Sequence, residues 1–185
     1  MTLTPNRRMA LVAVVTLVLD QLTKFAVLRF LGYAEERVVV DGFFKFVHWG
    51  NTGAAWSMFH NSNALLTIIA LLALLALFLT RHHFGLEHCL GQWALGLMFG
   101  GIVGNIIDRL VHHHVVDFLY FHVRTRSGNE AGFPAFNVAD SGICVGVGLM
   151  FLLSWQMDEH KATPPAAAPA ETASKESSVT SSKEA

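Results

Sequence analysis

Three aspartates lie at or just beyond the ends of long apolar stretches, where a carboxylate is costly. They are Asp108, Asp117 and Asp140. An ionisable side chain at such a depth is a candidate for chemistry or ion transport. Two carboxylates that share one proton can supply the base and the acid of peptide hydrolysis, because like charges a few ångströms apart do not both ionise. These residues favour an aspartyl protease at a membrane surface.

The surroundings of these aspartates differ. Asp140 is expected in the first turn of a helix, where the macrodipole and the free backbone N–H groups favour a negative charge. Asp117 lies between Val116 and Phe118, and apolar neighbours raise the pKa of a carboxyl group. We therefore expect Asp140 to start as the base and Asp117 to hold the proton. The spacing alone leaves open whether Asp108 or Asp117 is the partner of Asp140.

The composition places the chain in the membrane class. Of its 185 residues, 52% are hydrophobic and 15% are charged, whereas an ordinary soluble domain has about 25% charged residues. The net charge of -1 excludes a broad basic face, and so no nucleic-acid partner is expected. Cys89 and Cys144 both lie in apolar segments, where they are expected to be small buried hydrophobic residues.

Four apolar stretches approach the length of a bilayer crossing, which takes about 20 residues. They predict transmembrane helices at about residues 9–31, 64–80, 89–107 and 138–155, separated on one face by segments 32–63 and 110–136. An even number of helices places both termini on the same side. Arg7 and Arg8 precede the first helix and favour the cytoplasm for that side, although basic residues elsewhere give the positive-inside rule a mixed answer.

The two segments between helices on the aspartate side differ in how clearly they predict structure. Residues 37–49 are rich in β-branched and aromatic side chains around Asp41-Gly42, which predicts a short hairpin. Residues 118–135 are expected to hold a short interfacial helix or a flap, and the sequence does not decide between them.

Glycine spacing indicates how the helices pack. Gly96, Gly100 and Gly104 recur every four residues on the third predicted helix, and Gly142 and Gly146 do so on the fourth. Small residues at this spacing let helix backbones approach closely in lipid. We expect the third and fourth helices to pack together and draw the aspartates at their ends towards each other.

The composition changes after the fourth helix. Residues 164–169 are Pro and Ala, and a Ser/Thr/Glu/Lys-rich run follows to the end of the chain. Such a segment has too few apolar side chains to fold. We expect one membrane domain over residues 1–160 and a disordered tail over 161–185.

Several polar residues also have ordinary structural interpretations. Asp140 fits the first turn of a helix capped by Asn137. Asp20 and Lys24, one helical turn apart, fit a structural ion pair. Asp108-Arg109 is a possible ion pair at the end of the third helix, and Asn51–Ala55 is a possible turn. His112–His114 resembles a metal site, but adjacent residues point in different directions, which favours a solvated loop.

Taken together in chain order, the motifs are more specific than any one of them. They are Asp20–Lys24, Asn51–Ser57, Gly100–Arg109, Val115–Phe118 and Phe133–Asp140. With them the chain resembles the lipoprotein signal peptidases (signal peptidase II), a family of bacterial inner-membrane aspartyl proteases. The similarity spans about residues 9–156.

The resemblance implies a fold and an activity. The implied fold is an all-α membrane protein with four transmembrane helices, both termini in the cytoplasm, and a small β-rich cradle on the periplasmic side. The implied reaction cleaves diacylglyceryl-modified prolipoproteins on the N-terminal side of the lipidated cysteine. Membrane lipids and the inhibitor globomycin are the other implied partners. No metal or cofactor is expected, since two carboxylates can activate water themselves.

The resemblance also assigns residues. It implies that Asp117, rather than Asp108, is the catalytic partner of Asp140. The residues implied to surround the pair and bind substrate are Asn51, Gly53, Gly104, Asn105, Arg109, Asn137 and Ala139, with Asp20, Lys24 and Asp108 as support behind them.

A small proton- or ion-coupled transporter is the alternative function. It would use Asp20, Asp108, Asp117 and Asp140 as a relay. A relay needs carboxylates at mid-membrane depth, whereas Asp108, Asp117 and Asp140 are expected near one face. The sequence therefore favours the protease.

Overall fold

The computed structural model describes residues 4–53, 62–125 and 129–162. Within them, four helices are long and apolar enough to cross a membrane. The helices are α1 (Pro5–Phe30), α2 (Asn63–Thr80), α3 (Cys89–Val111) and α4 (Val138–Ala162). The span of α4 that meets the criterion is Val138–Met157. The predicted fold class, a helical membrane protein with a small β-rich part, is confirmed.

Helices α1, α3 and α4 extend further than the apolar stretches alone indicate, and α4 does so by continuing to Ala162 rather than ending near residue 155. Helix α1 starts at Pro5 rather than near residue 9, because proline is well accommodated in the first turn of a helix. Helix α3 continues to Val111, one turn past the expected end at residue 107. It can do so because Asp108 is only 1% exposed and has partners inside the bundle. Asp108 is thus a residue of the helix rather than a group beyond its end.

Four antiparallel strands form a sheet at the end of the bundle that holds the aspartates. They are β1 (Glu36–Val40), β2 (Phe44–Asn51), β3 (Val115–Arg124) and β4 (Glu130–Gly132), in the order β1-β2-β3-β4. Strands β1 and β2 form the predicted hairpin. Gly42 lies in its turn with a φ of 71°, a backbone conformation that glycine adopts without strain.

The segment after α3 forms a strand, which the expectation of a helix or a flap missed. Strand β3 pairs with β2, and Asp117 lies opposite Trp49. The signal was in the sequence: six of the nine residues 115–123 are valine, phenylalanine or tyrosine, and such residues favour a strand. This strand, rather than an irregular exit from α3, holds Asp117.

Helix α3 lies between α1 and α4, and glycines permit both contacts. A Cβ at Gly100 would come within 2.5 Å of the Ala13 carbonyl oxygen, and a Cβ at Gly96 within 2.6 Å of Val12. The row of glycines on α3 therefore packs mainly against α1.

Helix α3 also packs on α4, as expected. There a Cβ at Gly101 would collide with the Ala139 carbonyl oxygen. Helix α4 approaches α3 through its own Gly146, where a Cβ would lie 2.8 Å from the Ala94 carbonyl oxygen.

Both cysteine side chains are exposed, so the expectation that they are buried is wrong. In a bundle of four helices, each helix turns much of its surface outwards, where lipid takes the place of a protein core. An apolar segment therefore does not imply a buried residue here.

Candidate active site

Strand β3 presents the Asp117 carboxyl group to the interior, where the residue is 3% exposed. Two amides donate hydrogen bonds to it. The Asn51 Nδ2 lies 2.9 Å from Asp117 Oδ2, and the Asn137 Nδ2 lies 2.9 Å from Asp117 Oδ1. Asn51 stands at the end of β2 and also accepts a bond from the Gly53 backbone N–H at 2.9 Å. The predicted residues Asn51 and Gly53 thus form one turn against Asp117.

Asp140 occupies the first turn of α4 and is partly exposed. The Asn105 Nδ2 donates to Asp140 Oδ1 at 2.8 Å. Asn137 accepts a bond from the Asp140 backbone N–H at 2.9 Å, and its own backbone N–H donates to Asp140 Oδ2 at 3.3 Å. This reciprocal arrangement is a capping box. The capping interpretation of Asn137 and Asp140 is correct, and it also fixes the direction of the Asp140 carboxylate.

Asn137 connects the two aspartates. Its side chain donates to Asp117 while its backbone N–H donates to Asp140, and the residue is completely buried. Asp117 and Asp140 therefore belong to one site although they lie on a strand and on a helix. Asp108 does not join this pair, because its carboxylate turns towards α1.

The environment of Asp117 favours its protonated form. Burial raises its pKa, the charge of Asp140 raises it further, and the hydrogen bonds from Asn51 and Asn137 offset part of the effect, leaving the pKa at about 7. Near neutral pH, Asp117 can therefore hold a proton. The expected division of roles, with Asp140 as the base, stays a prediction.

Lys24 lies behind the aspartates and joins three polar groups. Its Nζ is 2.8 Å from Asp20 Oδ2, 2.8 Å from Asp108 Oδ2 and 3.0 Å from Asn105 Oδ1. Asp20 and Lys24 are therefore more than a self-neutralising pair on α1. Asp108 pairs with Lys24 rather than with its neighbour Arg109, so the suggested ion pair at the end of α3 is wrong.

The two buried carboxylates of this cluster hold the backbone beside the cleft aspartates. Asp108 Oδ2 accepts a bond from the Val116 N–H at 3.1 Å, immediately before Asp117. Asp20 Oδ1 accepts a bond from the Ala139 N–H at 2.9 Å, immediately before Asp140. Gly104 makes room for this arrangement, because a Cβ there would collide with the Asp20 carboxylate.

Gln21 completes the cluster and was missed by the sequence analysis. Its Nε2 lies 3.2 Å from Asp20 Oδ2, 3.1 Å from Asp108 Oδ1 and 3.3 Å from the Gly104 carbonyl oxygen. The signal was its position inside the motif Asp20–Lys24. It was missed because a glutamine is uncharged, whereas the residues singled out in that motif, Asp20 and Lys24, are charged. It ties α1 to α3 at the level of the site.

The aspartates open onto a cleft of about 890 Å³ between the sheet and α4. Trp49 and Tyr120 line the sheet side, residues 132–136 form a second wall, and Ile143 and Cys144 continue the cleft along α4. Arg109 also reaches the cleft, and its buried Nε has no hydrogen-bond partner among the residues that the structure describes. The cleft is thus mostly apolar, and the charged side chains among its lining residues are Arg109, Asp117 and Asp140.

The histidine run does not form a metal centre. Among the residues that the structure describes, no group of three or more metal-binding side chains is present. The His114 ring instead packs closely on Gly50, where an added Cβ would lie 2.8 Å from the ring. Burial lowers the pKa of His114, and the nearby His112 lowers it further.

The fold and the site define a multi-pass membrane enzyme with a buried and a partly exposed aspartate side by side at one end of a helix bundle. The model of the family described as signal peptidase (SPase) II, peptidase family A8, matches residues 12–156. The chain belongs to this family of aspartic peptidases. Membership supports the protease over the transporter.

Curated relatives and solved structures agree with this assignment. The lipoprotein signal peptidase of Symbiobacterium thermophilum is 41% identical over 140 residues, 76% of this chain and 89% of the relative. That of Ralstonia nicotianae is 42% identical over 146 residues, 75% and 79% of the two chains. A solved bacterial membrane enzyme is 27% identical with a TM-score of 0.70, over 86% of this chain and 94% of its own.

Proposed function

We propose that the chain is an endopeptidase that removes signal peptides from diacylglyceryl-modified prolipoproteins, on the N-terminal side of the lipidated cysteine. Asp117 and Asp140 are its catalytic residues. The observation that carries this proposal is the pair of carboxylates joined through Asn137 at the head of one cleft. The names of the similar lipoprotein signal peptidases support the substrate class.

The proposed chemistry uses the difference between the two carboxyl groups. The Asp140 carboxylate takes a proton from water as the water oxygen attacks the scissile carbonyl carbon, and Asp117 gives its proton to the carbonyl oxygen. Collapse of the resulting diol breaks the C–N bond and passes a proton to the leaving amine. The carboxyl pair then shares one proton again, so no metal or organic cofactor takes part.

The remaining site residues are proposed to bind and orient. Arg109 and Asn51 offer N–H donors at the cleft for the extended backbone around the scissile bond, and Asn105 and Asn137 fix the aspartates. Gly53, Gly104 and Ala139 leave room for close approach of backbone. Asp20, Lys24 and Asp108 support the catalytic residues from behind through the backbone bonds at Val116 and Ala139.

The shape of the cleft suits a lipid-modified substrate. Its apolar continuation along α4, past Ile143 and Cys144, offers the acyl chains a path that stays beside membrane lipid. The scissile bond can then meet the aspartates near the membrane surface while the chains remain in hydrocarbon. The same cleft is proposed to bind the inhibitor globomycin in competition with the substrate.

The proposed location is the bacterial inner membrane, with both termini in the cytoplasm and the active site towards the periplasm. An even number of helices and the basic residues Arg7 and Arg8 support this orientation. Residues 1–160 are proposed as the enzyme domain and 161–185 as a solvated cytoplasmic tail. Residues 163–185 lie outside the described residues.

The test is cleavage by the purified chain in lipid vesicles. A prolipoprotein that carries the diacylglyceryl group should be cut at the bond before the modified cysteine, with the product mass showing the position. The same precursor without lipid is the matched control and should remain intact, and globomycin should block the reaction. Equal cleavage of both precursors, or of neither, would refute the proposed substrate class.

A further inference from the structure

The sheet contains a buried cation outside the aspartate cluster. Lys45 on β2 is 6% exposed, and its Nζ lies 2.6 Å from Glu36 Oε2 and 2.7 Å from Glu130 Oε2. The same Nζ lies 5.3 Å from the centre of the Tyr120 ring, close enough for a cation–π contact. The lysine gives up its hydration for these three partners.

The partners of Lys45 come from all the other strands of the sheet. Glu36 lies on β1, Tyr120 on β3 and Glu130 on β4, and we call these four residues the sheet clasp. Strand β4 has three residues and pairs with β3. Backbone bonds continue this pairing to β3 past the strand, at Phe133 and Phe136. The ion pair between Glu130 and Lys45 joins β4 to β2 as well.

Strand β4 leads directly into the second wall of the cleft. Gly132 ends the strand, and residues 132–136 line the cleft together with Trp49 and Tyr120. Gly132 packs so closely on the Tyr120 hydroxyl that a Cβ there would overlap it. Tyr120 thus touches the lysine at one side and the wall at the other, while its ring centre lies 4.9 Å from that of Trp49.

Charge on the clasp persists around neutral pH. Burial opposes the charge of Lys45, but the hydrogen bonds to Glu130 and Glu36 outweigh it and leave the pKa of Lys45 above its ordinary value. The Lys45 hydrogen bond likewise lowers the pKa of Glu130. His122 lies 3.5 Å from the same carboxylate and stacks on Tyr120, which adds a second side chain that holds Glu130 on this face.

We propose that the Lys45–Glu130 ion pair positions the cleft wall of residues 132–136 for binding of the peptide segment around the scissile bond. Both residues act through the wall and not on the reacting atoms, so they are positioning residues. The proposal rests on the proposed peptidase function. It places the effect of the pair on KM and leaves the chemical step to the aspartates.

Glu36 provides a matched control. Glu36→Gln and Glu130→Gln each remove one short ion pair of the same lysine, and the two carboxylates are similarly exposed, at 40% and 37%. Only Glu130 is on the strand that continues into the cleft. Glu130→Gln should raise KM for the lipidated precursor roughly threefold to fivefold, the upper range for a half-exposed ion pair, with kcat unchanged. Glu36→Gln should change neither constant.

A measurement without substrate separates this proposal from the proposed function. Hydrogen exchange of the backbone amides over residues 130–136, followed by mass spectrometry, should be faster in Glu130→Gln than in wild type or Glu36→Gln. If wild type does not cleave the precursor, the proposed function fails. The exchange data still show whether the Lys45–Glu130 ion pair orders residues 130–136. Equal exchange and equal KM in the two variants would overturn the proposal, as would a fall confined to kcat.

A double variant shows whether the two residues act together. Lys45→Met should raise KM as Glu130→Gln does, and Lys45→Met/Glu130→Gln should be no worse than either single variant, because contacting residues are not additive. Additive increases in KM would mean that the two side chains act independently and would refute the pairing.

Discussion

Removal of the Lys24 charge is the most informative perturbation of the buried cluster. Lys24 is 2% exposed, Asp20 is 0% exposed and Asp108 is 1% exposed. Lys24→Met keeps the length of the side chain but leaves two carboxylates in the bundle without their shared cation. Removing one partner of a buried ion pair costs about 3–5 kcal/mol, because the remaining charge is uncompensated. We expect a loss of unfolding free energy in this range.

The matched control removes all three charges. In Lys24→Met/Asp20→Asn/Asp108→Asn, each Asn carbonyl oxygen can still accept the backbone bond of Ala139 or Val116. Replacement of a whole buried ion cluster by neutral groups is often close to neutral in stability. The triple variant should therefore recover more than half of the stability that Lys24→Met loses.

The assay is reversible unfolding of the purified proteins in mixed detergent micelles, followed by the loss of helical circular dichroism. Wild type, the single variant and the triple variant are compared at one pH and one detergent composition. A triple variant as unstable as Lys24→Met, or less stable, would show that unpaired carboxylates do not cause the loss. The loss in the single variant would then come from packing of the lysine stem rather than from unpaired charge.

Further predictions concern the pH profile and a glycine contact. Because the pKa of Asp117 is raised to about 7, the cleavage rate should fall as pH rises through about 7 and Asp117 loses its proton. Asn51→Ala removes a hydrogen bond that lowers the pKa of Asp117. The fall in cleavage rate at alkaline pH should therefore occur at a higher pH in this variant than in wild type. A fall at the same or a lower pH would contradict this. Gly104→Ala should lower the unfolding free energy by about 1–3 kcal/mol, because the added methyl group would push on the Asp20 carboxylate. The loss should appear as a lower melting temperature. Gly148→Ala is the control and should not destabilise the protein, because no described atom outside its own stretch of helix lies within 4 Å of the added Cβ. Equal losses at the two glycines would contradict the close contact at Gly104.

The sequence predicts much of the fold because the membrane imposes simple lengths. A run of about 20 apolar residues indicates a transmembrane helix, and so the sequence predicts all four membrane-length helices. The hairpin at Asp41-Gly42 is evident for a similar reason, since turn chemistry is local. Strand β3 was missed although its β-branched and aromatic residues are visible, because Asp117 was placed in an exit segment after the third helix and residues 118–135 were interpreted as a helix or a flap.

Long-range partners are the part that the sequence does not contain. The i,i+4 spacing of Asp20 and Lys24 indicates a pair, but the contact of Lys24 with Asp108 depends on how α1 packs on α3. The same holds for Gln21, whose three hydrogen bonds need both helices in place. The glycine spacing likewise predicts that α3 packs on α4, which the structure confirms, but it does not show that most of the row faces α1.

The candidate site also has residues that the sequence predicts and contacts that only the folded structure shows. Asp117 and Asp140 follow from motifs and from the resemblance to a family, whereas the role of Asn137 as the link between them requires coordinates. Lys45 and Glu130 are 85 positions apart in the chain, and no local pattern connects them. Both cases involve side chains from different elements that meet only after folding.

The central claim is that Asp117 and Asp140 act as one catalytic pair. Its most direct test is the single-turnover cleavage rate of a diacylglyceryl-modified prolipoprotein by wild type, Asp117→Asn and Asp140→Asn, each shown to be folded and to bind the substrate. If the two aspartates act as a pair, both variants should lose cleavage by several orders of magnitude and retain binding. Turnover at the wild-type rate in either variant would contradict the claim.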